Sequence, residues 1–101
     1  MNHTVCVGRG RVLVPLETYE RYLGGAAAGA LLAREGQVFL MPLNGPVAGG
    51  ALLKRKNLRG DRVMLASDFL NEHGIDPFAT DREYVVRWIT EAGALLIEGL
   101  H

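Results

Sequence analysis

The sequence predicts a mostly β fold with two short helices, built from two related β-β-α-β-β halves. Three observations predict it. The apolar segments are short, rich in Val, Leu and Ile, and punctuated by glycine-containing turns. A strand of the same text, Arg11–Val14 and again Arg62–Leu65, twice leads into a short helical stretch. Each of those helical stretches is then followed, after a loop, by a second pair of strands about a tight turn. A length of 101 residues fits one domain, 1–101, with the halves at 3–43 and 51–100 and a Gly/Pro linker at 44–50.

The elements follow in order. Residues 3–8 alternate loosely and are β-branched, which predicts a strand; Arg9-Gly10 is a turn and Arg11–Val14 a second strand, giving a hairpin. Pro15 ends that strand, because it has no N–H to donate to a ladder, and is tolerated in the first turn of a helix. Leu16, Tyr19 and Leu23 recur at i, i+3 and i+7, one apolar stripe of a helix that Gly24-Gly25 stops. Alanine propensity alone would continue the helix through 26–33. Gly29 interrupts it, however, and residues 30–35 and 38–43 read as two strands about a Glu35-Gly36 turn, so a hairpin is the expectation.

After the linker the pattern resumes. Residues 51–56 form a strand, 57–61 a turn and 62–66 a strand. A helix follows over 67–74, with Ser67 or Asp68 as N-cap and Gly74 as terminator. Residues 75–81 are a loop, 82–89 the most β-rich run in the chain, 90–93 a turn, and 94–100 the last strand. Residues 11–14 match 62–65 at an offset of 51, and 36–40 match 93–97 at an offset of 57. A unit of about 45 residues buries too little surface to stand alone and leaves its sheet edges open. Two such units can share a core and close each other's edges.

Net charge is zero, but the charge is divided: nine Lys and Arg face four acids over residues 1–62, and two Arg face seven acids over 63–101. Such asymmetry points to a polyanion-binding face; the competing reading is that the two parts neutralise each other in the fold. One cysteine excludes an intrachain disulfide. With no apolar run near the roughly 18 residues of a membrane span, and no leader-like N-terminus, the expected compartment is the cytoplasm, with no membrane partner.

The run Gly10-Arg11-Val12-Leu13-Val14-Pro15, the helix Glu17 to Leu23 with Gly24, and Glu35 to Leu43 together resemble the swapped-hairpin domain of AbrB-type transition-state regulators and MazE-type antitoxins. The likeness covers 3–43. The second half follows it in outline, with Asp61 in place of the glycine before Arg62 and Ala66 in place of the proline. Ala26-Ala27-Ala28-Gly29 stands where the family usually carries a Gly-Asp turn, and Leu16 where it often has a basic residue. The resemblance implies a swapped-hairpin-like β-barrel. It is usually a dimer of one-unit chains; here a single chain could supply both units as a monomeric pseudo-dimer, or pair as a homodimer. It also implies operator DNA as a partner, held by basic residues of the hairpins.

Arg9, Arg11, Arg59 and Arg62 are expected at matching places of the two hairpins, and Lys54, Arg55 and Lys56 precede the second. Set along one face, they would neutralise phosphates of duplex DNA, and counterion release would drive binding. The alternative is that they pair with acids of the neighbouring helices, Glu17, Glu20, Asp68 or Glu72. Tyr84, Val86 and Trp88 share one face of a strand, either as core or as a protein-binding patch. Arg59-Gly60-Asp61 spells the integrin tripeptide, which a hairpin turn accounts for. Cys6 reads as a small core residue. His3, His73, His101 and Cys6 lack metal-ligand spacing, and no catalytic pair, dinucleotide fingerprint or P-loop is present. The expectation is a non-enzymatic binding module without metal or cofactor. Either it is a DNA-binding regulator, or it is a protein-interaction module that keeps the barrel without DNA affinity.

Overall fold

The computed structural model describes residues 2–45 and 50–100. The predicted linker therefore lies partly outside the described residues. Among the described residues nine strands form one antiparallel sheet: β1 (Thr4–Gly8), β2 (Arg11–Val14), β3 (Ala28–Arg34), β4 (Gln37–Leu43), β5 (Ala51–Leu52), β6 (Lys54–Arg55), β7 (Arg62–Leu65), β8 (Arg82–Ile89) and β9 (Ala94–Ile97). The lateral order is β5-β3-β4-β9-β8-β1-β2-β7-β6. The two ends of that order, β5 and β6, are separated in the chain by Leu53 alone. The sheet therefore nearly closes on itself as a barrel, the arrangement that leaves the fewest unpaired edges.

Residues 51–56 differ from the single strand the sequence suggests. Ala51 and Leu52 pair with β3, whereas Lys54 and Arg55 pair with β7. The segment changes partners at Leu53, whose side chain is buried and whose N–H donates to the Ala27 carbonyl. Burying one leucine at the corner where the barrel meets itself bends the strand. On 26–33 the hairpin reading holds: β3 begins at Ala28 and pairs with β4 from Ala28↔Leu43 to Arg34↔Gln37.

The turns explain the hairpins locally. Arg9 and Gly10 both have positive φ (52° and 73°), as do Glu35 and Gly36 (52° and 76°). Two successive positive-φ residues define the turn whose twist matches antiparallel strands, and glycine fills its second position without strain. The first helix opens as α1 (Leu16–Thr18) and continues as a π-helical turn, Tyr19–Leu23, ended by left-handed Gly24. It buries Thr18, Tyr19 and Leu23, with the Thr18 hydroxyl donating to the Thr4 carbonyl and the Tyr19 hydroxyl to that of Ala26. The second helix, α2 (Ser67–Glu72), buries Leu70.

Period-two alternation sorts the strands into faces. Val5, Val7, Val12, Val14, Val38, Leu40, Met64, Val86, Leu95 and Ile97 point inward and make one aliphatic core with Tyr19, Leu23, Leu53 and Leu70. Four ladders join the N-terminal and C-terminal parts of the chain: β1–β8, β3–β5, β2–β7 and β4–β9. β2 meets β7 through Arg11↔Leu65, Val12↔Met64, Leu13↔Val63 and Val14↔Arg62. β4 meets β9 through Val38↔Ile97, Phe39↔Leu96 and Leu40↔Leu95. Phe39 and Leu96 lie on the outer side, where Met41, Ile89 and Ala92 pack against them.

Candidate nucleic-acid interface

The basic residues singled out above divide between two hairpins with different surroundings. In β1–β2, Arg9 occupies the turn and is exposed. Arg11 lies opposite Gly8, and its guanidinium reaches Asp81 at 3.5 Å. Gly8 makes that approach possible. A Cβ there would stand 2.4 Å from the Asp81 Cα and 2.6 Å from the Thr80 carbonyl carbon. The tip of the first hairpin is thus covered by an acidic loop and half neutralised.

The second hairpin, β6–β7, carries Lys54, Arg55, Lys56, Arg59 and Arg62 against Asp61. Its turn is built by Asn57, whose side-chain oxygen accepts the N–H groups of Gly60 and Asp61. The tripeptide Arg59-Gly60-Asp61 is therefore a structural turn. The Asp61 carboxylate accepts the Leu16 N–H at 2.8 Å and the Asn57 amide at 3.0 Å. It supplies the cap that Pro15 cannot give α1, since Pro15 makes no side-chain cap bond. Those two bonds hold Asp61 below the usual carboxylate range. Glu17 is also lowered, by its own backbone N–H and then by Arg59, with which it forms an ion pair.

Arg55 donates to the Asn57 and Leu58 carbonyls and braces the turn. Lys54, Arg55 and Lys56 are exposed and take part in no ion pair among the described residues. Arg62 stacks over the Tyr19 ring at 4.5 Å, and its Nε is buried without a hydrogen-bond partner among the described residues, as is that of Arg11. Arg59 pairs with Glu17, so the helix-acid alternative raised by the sequence describes this residue; Arg11 instead uses Asp81, on the loop before β8.

Arg11 and Arg62 do not occupy matching places. Directly opposite residues of an antiparallel ladder share a face. Arg11 lies opposite Leu65, on the outer face, and Arg62 lies opposite buried Val14, on the inner one. The one-residue difference reverses the side chain.

Tyr84 and Trp88 point inward, opposite Val5 and Leu95, and pack half-buried against the core. Trp88 stacks parallel to Tyr22, with centroids 6.5 Å apart, and Tyr22 meets His3 edge-on at 5.2 Å. Tyr22 and His3 come from separate elements, so only the fold unites them with Trp88. Cys6 is half-buried on the outer face; burial, then Glu83 and Asp81, raise its thiol pKa, and Lys56 opposes them. Among the described residues no group of three or more His, Cys, Asp or Glu could hold a metal, and no helix is long and apolar enough to cross a membrane. An open groove of about 800 Å³ runs between β3 and α2, lined by Leu31, Leu32, Met64, Leu65, Phe69 and His73 among others.

Compared with protein-family models, with curated proteins and with solved structures, the chain matches none.

Proposed function

We propose that this protein is a non-enzymatic DNA-binding module, a tandem form of the AbrB/MazE-like swapped-hairpin barrel, that holds duplex DNA through its second hairpin. The observation that carries the reading is the β6–β7 hairpin, with exposed Lys54, Arg55 and Lys56 free of carboxylate partners among the described residues. Cations at a hairpin tip reach phosphates without any rearrangement of the barrel, and they give affinity before they give sequence preference. The tandem reading draws support from the β4–β9 ladder, in which Phe39 and Leu96, the pair related by the offset of 57, stand directly opposite each other. Arg9 and Arg11 are secondary in this scheme, because Asp81 already pairs with Arg11.

A mobility-shift titration tests it. The wild type should retard duplex DNA at about 50 mM salt, with log affinity falling by about 0.9 per phosphate contact for each decade of salt. Exchanging Lys54, Arg55 and Lys56 together for alanine should reduce that slope by about 2 to 3. Exchanging Arg9 and Arg11 should change it by less than about 1. A wild type that shifts no DNA at that salt would sink the proposal. One specific observation favours the second reading, a protein-interaction module: Arg11 and Arg59, two of the seven predicted DNA contacts, are already paired with Asp81 and Glu17.

A further inference from the structure

The barrel does not close along its whole height. β3 is paired with β4 throughout, from Ala28↔Leu43 to Arg34↔Gln37, but its other edge meets β5 only at Ala28 and Gly29. Alternate residues of an antiparallel strand turn their backbone groups to opposite edges. The Ala27 carbonyl faces the β5 side, where it accepts the Leu53 N–H, so Leu31 and Ala33 turn their N–H and C=O groups the same way. Ala30, Leu32 and Arg34 turn theirs toward β4. Beyond Gly29 nothing among the described residues bonds to the two donors and two acceptors of Leu31 and Ala33. They open onto the groove of about 800 Å³, whose far wall is α2 with Met64 and Leu65 of β7. Leu65 directs its own N–H and C=O to this side, since the next N–H, of Ala66, is turned to Gly10, and β6 pairs with β7 no further than Val63.

We propose that this groove binds an extended, basic segment of a partner protein, which adds to β3 as an antiparallel strand. Three observations select that occupant. The unpaired edge of β3 is matched only by the backbone of another extended chain. The floor is apolar, with Leu31, Met64 and Phe69 packed on the core. At the rim, Asp68 and Glu72 are exposed, stand one turn apart on α2 and take part in no ion pair among the described residues, so the complementary side chain is a cation. Residues of the segment opposite Leu31 and Ala33 exchange hydrogen bonds with both. Opposite residues share a face, and Leu31 lies opposite buried Leu40, so those side chains point inward to the apolar floor. A lysine or arginine beside them meets Asp68 and Glu72. A second copy of the chain fits less well, because the sheet behind its added strand would need the place that β7 and α2 hold.

Fluorescence anisotropy of a labelled peptide, Lys-Val-Thr-Val-Lys, titrated with the intact protein to about 1 mM at low salt, measures the binding. The valines stand for the residues opposite Leu31 and Ala33. Saturable binding is expected. N-methylation of both valines removes the donors aimed at β3 and should raise Kd by about tenfold or more. Glu-Val-Thr-Val-Glu should bind about tenfold more weakly at low salt, by a margin that shrinks as salt rises. Glu72→Lys, an exposed exchange, should erase most of that margin. Amide hydrogen exchange then locates the peptide. In the free protein Leu31 and Ala33 should exchange faster than Ala30 and Leu32, and saturation should slow those two amides by about fivefold or more. Absence of binding up to about 1 mM overturns the proposal. So does binding that the N-methylated peptide matches, that Glu72→Lys leaves unchanged, or that fails to protect Leu31 and Ala33. Protection of the same two amides by raised protein concentration alone would assign the edge to a second copy and overturn it as well. None of Lys54, Arg55 and Lys56 lines the groove, so this measurement and the DNA titration succeed or fail separately.

Discussion

Replacing Gly8 by alanine probes the contact that neutralises the first hairpin. The added Cβ would meet the Asp81 Cα at 2.4 Å, the Asp81 nitrogen at 2.5 Å and the Thr80 carbonyl carbon at 2.6 Å. Carbon atoms rest comfortably at about 3.5–4.0 Å, so roughly 1 Å of movement is needed. All three obstacles are backbone, so a rotamer change offers no relief. Either the loop before β8 must retreat, or β1 must separate from β8 over the ladder Thr4↔Val85 to Val7↔Arg82. Overpacking of this kind costs about 1–3 kcal/mol, and the reduced freedom of the unfolded chain returns about 0.4–1 kcal/mol. A net loss of about 1–2 kcal/mol follows, which for a chain near 100 residues lowers Tm by about 5–15 °C. Urea unfolding followed by the fluorescence of Trp88 measures it, as a reduced midpoint at unchanged slope. Gly45→Ala is the control, since among the described residues no atom lies within 4 Å of its added Cβ. If Gly8→Ala proved as stable as Gly45→Ala, the acidic loop would not cross β1 at this residue, and the pairing of Arg11 with Asp81 would lose its basis.

Three other outcomes are expected. Leu40→Ala removes a fully buried side chain at the centre of the core and should destabilise by about 2–5 kcal/mol in the same urea assay. Glu17 and Asp61 both titrate below their ordinary values in the fold. Their contribution is therefore complete above the unfolded carboxylate pKa of about 4 and is lost as pH falls through the folded values. Thermal melts should be flat from neutral pH to about 5 and fall below about 4, with Asp61→Asn showing a shallower fall. The raised pKa of Cys6 keeps its thiol protonated, so a thiol reagent near pH 8 should react more slowly with the folded protein than with the chain in urea.

Local signals made the elements legible. Arg9-Gly10 and Glu35-Gly36 announce their hairpins because a glycine in the second turn position removes the strain of positive φ. Pro15 and Gly24 bracket the first helix for equally local reasons. What the text could not give is lateral order. Nothing in residues 11–14 says that they will lie beside 62–65, or that β1 will pair with β8 across a sequence separation of most of the chain. The same holds for the site. Asp81 meets Arg11 only because Gly8 lacks a side chain, and Asp61 caps Leu16 only because β2 and β7 are neighbours. Leu53 reads as one more apolar residue of a strand until closure of the barrel requires a corner there.

The twinned arginines show how a matching text and a matching position come apart. Aligning residues 11–14 with 62–65 carries inward Val12 onto outward Val63, which a pleated sheet does not permit for equivalent residues. Moving the alignment by one, so that Val12 falls on Met64 and Val14 on Ala66, places buried residues on buried residues. The helices, however, still match at the original offset: Tyr19 donates to Pro15, and Leu70 to Ala66. The second segment is thus one residue shorter between its inward Met64 and its helix. Ala66, at φ −142° and ψ 9°, is where the chain leaves strand geometry to absorb the difference. A DNA surface that required Arg11 and Arg62 as a symmetric pair has no such pair to use. A surface built on Lys54, Arg55 and Lys56 loses nothing by the slip, because those residues need only the exposed second hairpin and no counterpart in the first.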